Sequence, residues 1–281
     1  MLAGQLGANL ILLNCNNTIS AVSYSPVIPV INDSLIWFEE RKSGLKEMSN
    51  HLKKYHSDAF PHRRRPVITT IIKEGDLTAN VKDVLKHHRV EMTVMGSRSG
   101  TPAEHFLFGS DTKSIVDHSP IPVLVVPREN KIQSTIRIVF ATDFLDQDVS
   151  ALDYIGQLRV QLRAHLEIVH IQQYGRVASI RNQEVQQKID EMWKAEPVLV
   201  TYNQVYGKNV VSRLNKYCKD NNADILALSH QHHSLLFQAF RKGVADRSLS
   251  TQRVPLLLIP ELRKEHEIQA DKYKGLSNII F

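Results

Sequence analysis

Short apolar runs alternate along the chain with longer stretches in which apolar residues recur every three or four positions. Leu10–Leu13 is a run of buried-strand length, Val67–Ile72 is a β-branched one, and Thr93–Met95 is a third. The stretches between them carry helical spacing. Asp33 is placed to cap a helix running to about Tyr55, with Leu45, Met48 and Leu52 on one face. Asp76 is placed to cap another, which carries Val81, Val84, Leu85 and His88. Asn17–Ile31 and the basic run His62-Arg63-Arg64-Arg65 read as loops. After Gly96 comes a polar loop without periodicity, then a helix opening at Gly109-Ser110. Pro120 and Pro122 then lead into the apolar run Val123–Val126.

The later part of the chain repeats this grammar. Ile136–Phe144 is a strand running into an acidic turn. Helix Val149–Arg163, strand Leu166–Ile171, helix Ile180–Lys194, strand Val198–Val205, helix Val210–Lys219 and strand Ile225–Leu228 follow. Such alternation implies a parallel sheet covered on both faces, an α/β fold. Short segments also echo one another in order. Gln5–Leu10 matches Gln161–Leu166, Glu91–Gly96 matches Asp224–Ser229, and Pro122–Pro127 matches Pro255–Pro260. The echoes predict two tandem, related domains, residues 1–130 and 131–262, joined at the polar run Arg128–Thr135 and followed by a tail, 263–281.

Composition narrows the classes of function. A chain of 281 residues, 42% of them hydrophobic, can give each of two domains its own core. No run is long enough to span a bilayer and the start does not resemble a signal peptide, so no membrane partner is expected. Cys15 and Cys218 form no disulfide framework or metal-ligand spacing, which points to a reducing cytoplasm. The net charge of +6 is compatible with an anionic ligand or nucleic acid and is also common in proteins that bind neither. His62–Arg65 has no interleaved aromatics and sits in no DNA-binding motif, so a solvated connection is favoured over a nucleic-acid contact. His230, His232 and His233, and the pair His87-His88, lack acidic or thiol partners at ligand spacing, and no metal site is expected. No nucleophile–base pattern stands in a recognisable context, so the chain is not expected to be an enzyme.

The chemistry that remains lies between Met95 and Thr112. Glycine at a strand exit lets a ligand approach the backbone. A Gly-Ser helix start offers N–H groups, a hydroxyl and the positive end of the helix dipole, a combination suited to phosphate. Gly96, Gly109 and Ser110, with the closing Ser119-Pro120-Ile121-Pro122-Val123-Leu124-Val125-Val126-Pro127, resemble the universal stress protein family. Its nucleotide-binding members carry Gly, two residues, Gly, nine residues, then Gly and Ser or Thr. Here Ser99 stands at the second glycine, with Gly100 one place later. The resemblance implies an adenine nucleotide alpha hydrolase-like fold, with five strands per domain in the order 3-2-1-4-5. It implies ATP or AMP as ligand, with Mg accompanying ATP. The site would be formed by Met95, Gly96, Ser97, Arg98, Ser99, Gly109, Ser110 and Thr112, with Arg98 adding a charge-assisted bond. It implies association through the last strands, Val123–Val126 and Leu256–Ile259, in a homodimer or an intramolecular pseudo-dimer.

Each copy departs from the family in its own way. The second keeps an acidic residue, Asp143, after its opening strand. It has Leu228-Ser229 in place of Met95-Gly96, the bulky loop Gln231–Phe237, and Lys242-Gly243 roughly where Gly109-Ser110 stand. No nucleotide is expected there, and Asp143 is read as a helix cap, with Asp146 or Asp148 as companions. The first copy begins at Met1–Gly4, where the helix after the opening strand should be ending, so it is expected to lack that strand. Asn278-Ile279-Ile280-Phe281 looks like Arg137-Ile138-Val139-Phe140 and could supply it, from the same chain or a partner; the other reading is a frayed or helical tail. Three functions follow as expectations: a cytoplasmic stress-response protein with one degenerate nucleotide site, a nucleotide-binding switch or weak ATPase, and a ligand-free partner-binding module.

Overall fold

A computed structural model describes residues 2–16, 31–97, 110–127, 136–172, 180–193, 200–230, 254–261 and 278–281. The chain runs α1 (Leu2–Leu6), β1 (Asn9–Asn16), α2 (Ile31–Ala59), β2 (Ile68–Glu74), α3 (Leu77–His87), β3 (Val90–Gly96), α4 (Ser110–His118) and β4 (Val123–Val126). It continues with β5 (Arg137–Ala141), α5 (Asp146–Leu162), β6 (His165–Gln172), α6 (Ile180–Trp193), β7 (Val200–Tyr206), α7 (Val210–Asp220), β8 (Ile225–Ser229), β9 (Leu256–Ile259) and β10 (Asn278–Ile280). The fold is mixed α/β, with mostly parallel strands flanked by helices. It divides into two compact units, Met1–Thr93 with Gln269–Phe281, and Val94–Ile268. The predicted loop at 17–30 and connector at 128–135 lie outside the described residues.

In the first unit the strands stand in the order β2-β1-β10-β3, each parallel to its neighbour. The tail strand therefore lies inside the sheet. Leu10 faces Ile279 and Ile11 faces Ile280 in the register with β1, and on the other side Ile279 and Ile280 align with Met92 and Thr93. The Phe281 N–H donates to the Ile11 carbonyl at 2.7 Å, and the Leu13 N–H donates to the Phe281 carbonyl at 2.9 Å. Asn278 donates from both its main chain and its side chain to the Arg89 carbonyl. Ile279 and Ile280 are buried beside Ile11, Leu12 and Met92, which the sequence places on the same sheet. Burying two such side chains contributes about 3–6 kcal/mol before ordering costs.

The helices of this unit follow the predicted caps with two corrections. Asp76 accepts from the Ala79 N–H at 2.8 Å and starts α3, whose Val81 and Val84 are buried. α2 begins at Ile31, so Asp33 lies in its first turn and not at a cap. Met48 is 47% exposed and does not belong to the packed face. The inward stripe of α2 is Leu45, Ser49 and His56, with Leu52 half-buried, at helical spacing but with polar members that an apolar count passes over.

His62–Arg65 forms a bracket under α1. Arg63 donates to the Gly4 and Gln5 carbonyls at 3.2 and 2.6 Å, and Arg64 to the Gly7 carbonyl and Asn9 Oδ1. These arginines satisfy carbonyls at the end of a short helix, where cations are also favoured by the dipole. α1 lies close against the end of α2. A β-carbon on Gly4 would sit 2.8 Å from the Phe60 ring, so only glycine fits.

His56 is buried in this contact, and neither ring nitrogen has a hydrogen-bond partner among the described residues. Burial holds its pKa below 6.5, and Arg65, Arg63 and Arg64 push the same way. A depressed histidine leaves stability intact above its unfolded-state value and loses it as pH falls from about 6.5 toward the folded value. His56→Leu is therefore expected to flatten the loss of protection in the first unit between pH 7.5 and 5.5, followed by amide exchange of α2 and β1. An unchanged slope in the variant would show that His56 does not carry it.

In the second unit the strand order is β4-β9-β8-β5-β6-β7. From β9 to β7 the pairs are parallel, and β4 meets β9 antiparallel, with Leu124 facing Leu257. The order β7-β6-β5-β8-β9 is the 3-2-1-4-5 arrangement that the family resemblance implies. Ile138–Ala141, Leu166, Ile168, Val169, Leu226–Leu228 and Leu256–Ile259 are all buried, as strands covered on both faces require. The last residues of β3 also belong to this unit, and the Ser97 N–H donates to the Val126 carbonyl at 2.9 Å.

Candidate functional site

Ligands of open parallel sheets gather outside the carboxyl ends of the strands. The second unit offers two such places, where β3 leads toward α4 and where β5 and β8 end.

At the first place Gly96 terminates β3 and is exposed. A β-carbon built on it meets no atom of the described residues within 4 Å. Ser97 follows, with its main chain tied to β4 and its Oγ buried without a hydrogen-bond partner among the described residues. α4 begins at Ser110, whose hydroxyl donates to the Asp111 carboxylate at 3.1 Å; both residues are exposed. Thr112 is 3% exposed and belongs to the inward face of α4 with Ile115 and Val116. Its side chain is part of the core, and its contribution to a ligand would come through its main chain. Met95 is half-buried at the end of β3. Arg98, Ser99 and Gly109, together with Gly100, lie outside the described residues. Asp111 was not singled out by the sequence reading. A carboxylate in the first turn stabilises the helix dipole, and it opposes an anion at the same end.

The second place is filled by the chain itself. Asp148 on α5 is buried and collects four donors. Thr142 Oγ1 donates at 2.6 Å, the Leu145 and Asp143 N–H groups at 3.1 and 3.2 Å, and Ser229 Oγ donates to its other oxygen. The Asp148 N–H donates back to the Leu145 carbonyl at 2.8 Å, completing a reciprocal turn at the helix start. The expectation that Asp143 leads this cap is corrected: Asp143 contributes its N–H, and Asp148 is the carboxylate at the centre. One side chain thus joins the end of β5, the end of β8 and the start of α5.

Phe144 closes the space above. Its φ of 57° is left-handed, an uncommon state for a bulky residue, and its N–H is held by Thr142 Oγ1 at 2.9 Å. The turn puts the ring 4.6 Å from the His170 ring and 6.3 Å from that of Tyr202, and buries it. His170 Nδ1 in turn donates to the Thr142 carbonyl at 2.8 Å. Sequence reasoning missed Thr142, Phe144 and His170, and named Asp148 only as a companion of Asp143. The signal available was Ser229 at the position of Gly96, since a side chain there needs a partner.

His230 has its main chain bonded to the Ile259 carbonyl, and its Nε2 lies 3.8 Å from Asp117 Oδ1. His232 and His233 lie outside the described residues. His87 Nδ1 donates to the Asp83 carbonyl. Among the described residues no group of three or more His, Cys, Asp or Glu side chains is placed to hold a metal. No helix among them is long and apolar enough to cross a membrane.

Mostly parallel strands flanked by helices define a mixed α/β protein. Comparison of sequence families matches residues 1–127 to the Universal stress protein family. No curated protein matches the sequence. Among solved structures, a universal stress protein from Archaeoglobus fulgidus DSM 4304 aligns with a TM-score of 0.63 at 14% identity, covering 92% of this chain and 90% of its own. A functionally unknown protein from Pseudomonas aeruginosa PAO1 aligns at 0.60 and 12%, covering 96% and 89%. These likenesses show that the fold extends over nearly the whole chain.

Burial pushes the Asp148 carboxyl above its usual range, against the opposite pull of its Ser229, Thr142 and Leu145 donors. A carboxyl raised in the folded state favours the fold at low pH and loses that contribution as pH rises through its folded value. Asp148→Asn can keep an acceptor for Thr142 and donate to Ser229. It is expected to gain stability relative to wild type as pH rises from 4 to 7. Asp148→Ala strands the donors and is expected to cost about 3 kcal/mol or more. Urea titrations of the three proteins at both pH values check this, and equal losses for Asn and Ala would overturn the central role of the carboxyl.

Proposed function

We propose that the chain is a stress-response protein of the cytoplasm that binds one adenine nucleotide, ATP with Mg or AMP, at the end of β3, and binds none at the ends of β5 and β8. The observation that carries this reading is the contrast between Gly96, where a side chain would meet no described atom, and Ser229, buried and bonded to Asp148. The match of residues 1–127 to the Universal stress protein family supports the nucleotide class. The Ser97 hydroxyl, without a hydrogen-bond partner among the described residues, fits a ligand oxygen, and the Gly96 main chain and the start of α4 fit phosphate. Arg98, Ser99 and Gly109 complete the site on the sequence pattern. Cys15 and Cys218 are free thiols, which suits a reducing compartment. Asp111 beside the phosphate position argues for weak binding or for Mg as a bridge, since the ion supplies the charge that the helix start shares with a carboxylate.

In this reading the protein holds the nucleotide and does not consume it. Calorimetry with Mg·ATP and with AMP is expected to show binding in the micromolar range, abolished by Gly109→Val while the melting temperature stays near that of wild type. No heat up to millimolar nucleotide would sink the reading and leave a ligand-free partner-binding module. Phosphate release above the buffer rate that disappears in Gly109→Val would replace it with a weak ATPase.

A further inference from the structure

The interior position of β10 has a consequence independent of nucleotide binding. β1 and β3 each present a row of main-chain groups to the gap between them, and among the described residues Asn278–Phe281 answers those rows. We propose that this gap is a strand-recognition slot, and that two copies of the chain exchange the segment Asn278–Phe281 through it to form a dimer.

The recognition is specific. It demands a parallel strand, two adjacent residues buried on opposite faces, filled here by Ile279 and Ile280, and a side-chain donor at the first position, filled by Asn278 toward the Arg89 carbonyl. The register with β3 shifts between Asn278 and Ile279, so a segment displaced by one residue loses both the irregularity and the Asn278 bond. Every one of these contacts is the same whether the strand comes from its own chain or from a copy. The contact energy therefore cancels between monomer and exchanged dimer, and the balance falls to concentration. A tethered segment competes at an effective concentration on the order of mM, so exchange gains ground as the protein is concentrated toward that range. Once formed, the dimer can part only by breaking both strand pairs, and it should persist when diluted.

The decisive measurement uses the unmodified full-length protein. Isotope-labelled and unlabelled copies are mixed, held at about 1 mM and diluted. Native mass spectrometry then counts dimers of mixed label. Mixed-label dimers that form at high concentration, approach about half of all dimers and outlast dilution are the expected result. Absence of dimers at every concentration would overturn the proposal. Light scattering on the unmodified chain gives a second reading. A dimer that survives dilution in wild type and is absent in Ile279→Asp supports exchange. A wild-type chain that stays monomeric at 1 mM, or a dimer that Ile279→Asp leaves intact, overturns it.

Discussion

A parallel sheet tolerates no vacancy in its interior, because each missing strand leaves main-chain donors and acceptors on both neighbours without partners and without water. That constraint fixes the position of β10. Among the described residues Asn278 to Phe281 are the neighbours of both β1 and β3 on their facing edges, and they pair with the first part of each strand and bring Ile279 and Ile280 into the core. The remaining features of this unit depend on a completed sheet. α2 and α3 have a continuous surface to cover, and the arginine bracket that ends α1 is anchored at Asn9, the first residue of a strand that β10 holds in place.

In the second unit the same need for satisfied polar groups has changed what a strand end does. Gly96 ends β3 without a side chain and leaves room beside the backbone. Ser229 ends β8 with a hydroxyl that must be bonded, and Asp148 bonds it. Once that carboxylate is buried, Thr142 and the turn Asp143–Leu145 close around it, and the turn in turn drives Phe144 into a left-handed conformation over His170. A single added hydroxymethyl group is thus associated with a filled crevice, its hydrogen bonds supplied from within the chain. One architecture leaves a strand end bare at Gly96 and seals it at Ser229, and the difference is one side chain.

Much of this was legible from the residues, and the exceptions have physical causes. Strand and helix order followed from periodicity, because burial on both faces leaves runs such as Val123–Val126 and Leu256–Ile259 almost wholly apolar. The tail strand was legible because Asn278–Phe281 looks like the opening strand Arg137–Phe140. Met48 was misplaced because Ser49 and His56 take the inward positions of α2, and a count of apolar residues cannot see buried polar ones. The serine at position 229 was visible as a departure, but its partner was not. Asp143, Asp146 and Asp148 are equivalent in a string of letters, and only the path of the turn decides which carboxylate faces inward. His62–Arg65 read as a plain basic loop, whereas two of its arginines are committed to carbonyls nearly sixty positions earlier.

The position of β10 also sets an order of events during biogenesis. On the ribosome, β1, β2 and β3 emerge long before the residues that fit between β1 and β3, so the sheet of the first unit must wait, half-built, while β4 to β9 are made. Such far-reaching closure is slow, since the loop must be drawn shut before its contacts repay the entropy. The nascent first unit would consequently present open strand edges for longer than the second, whose parallel core β5-β6-β7-β8-β9 is encoded consecutively. Chaperone demand during synthesis should fall on the part of the protein made first.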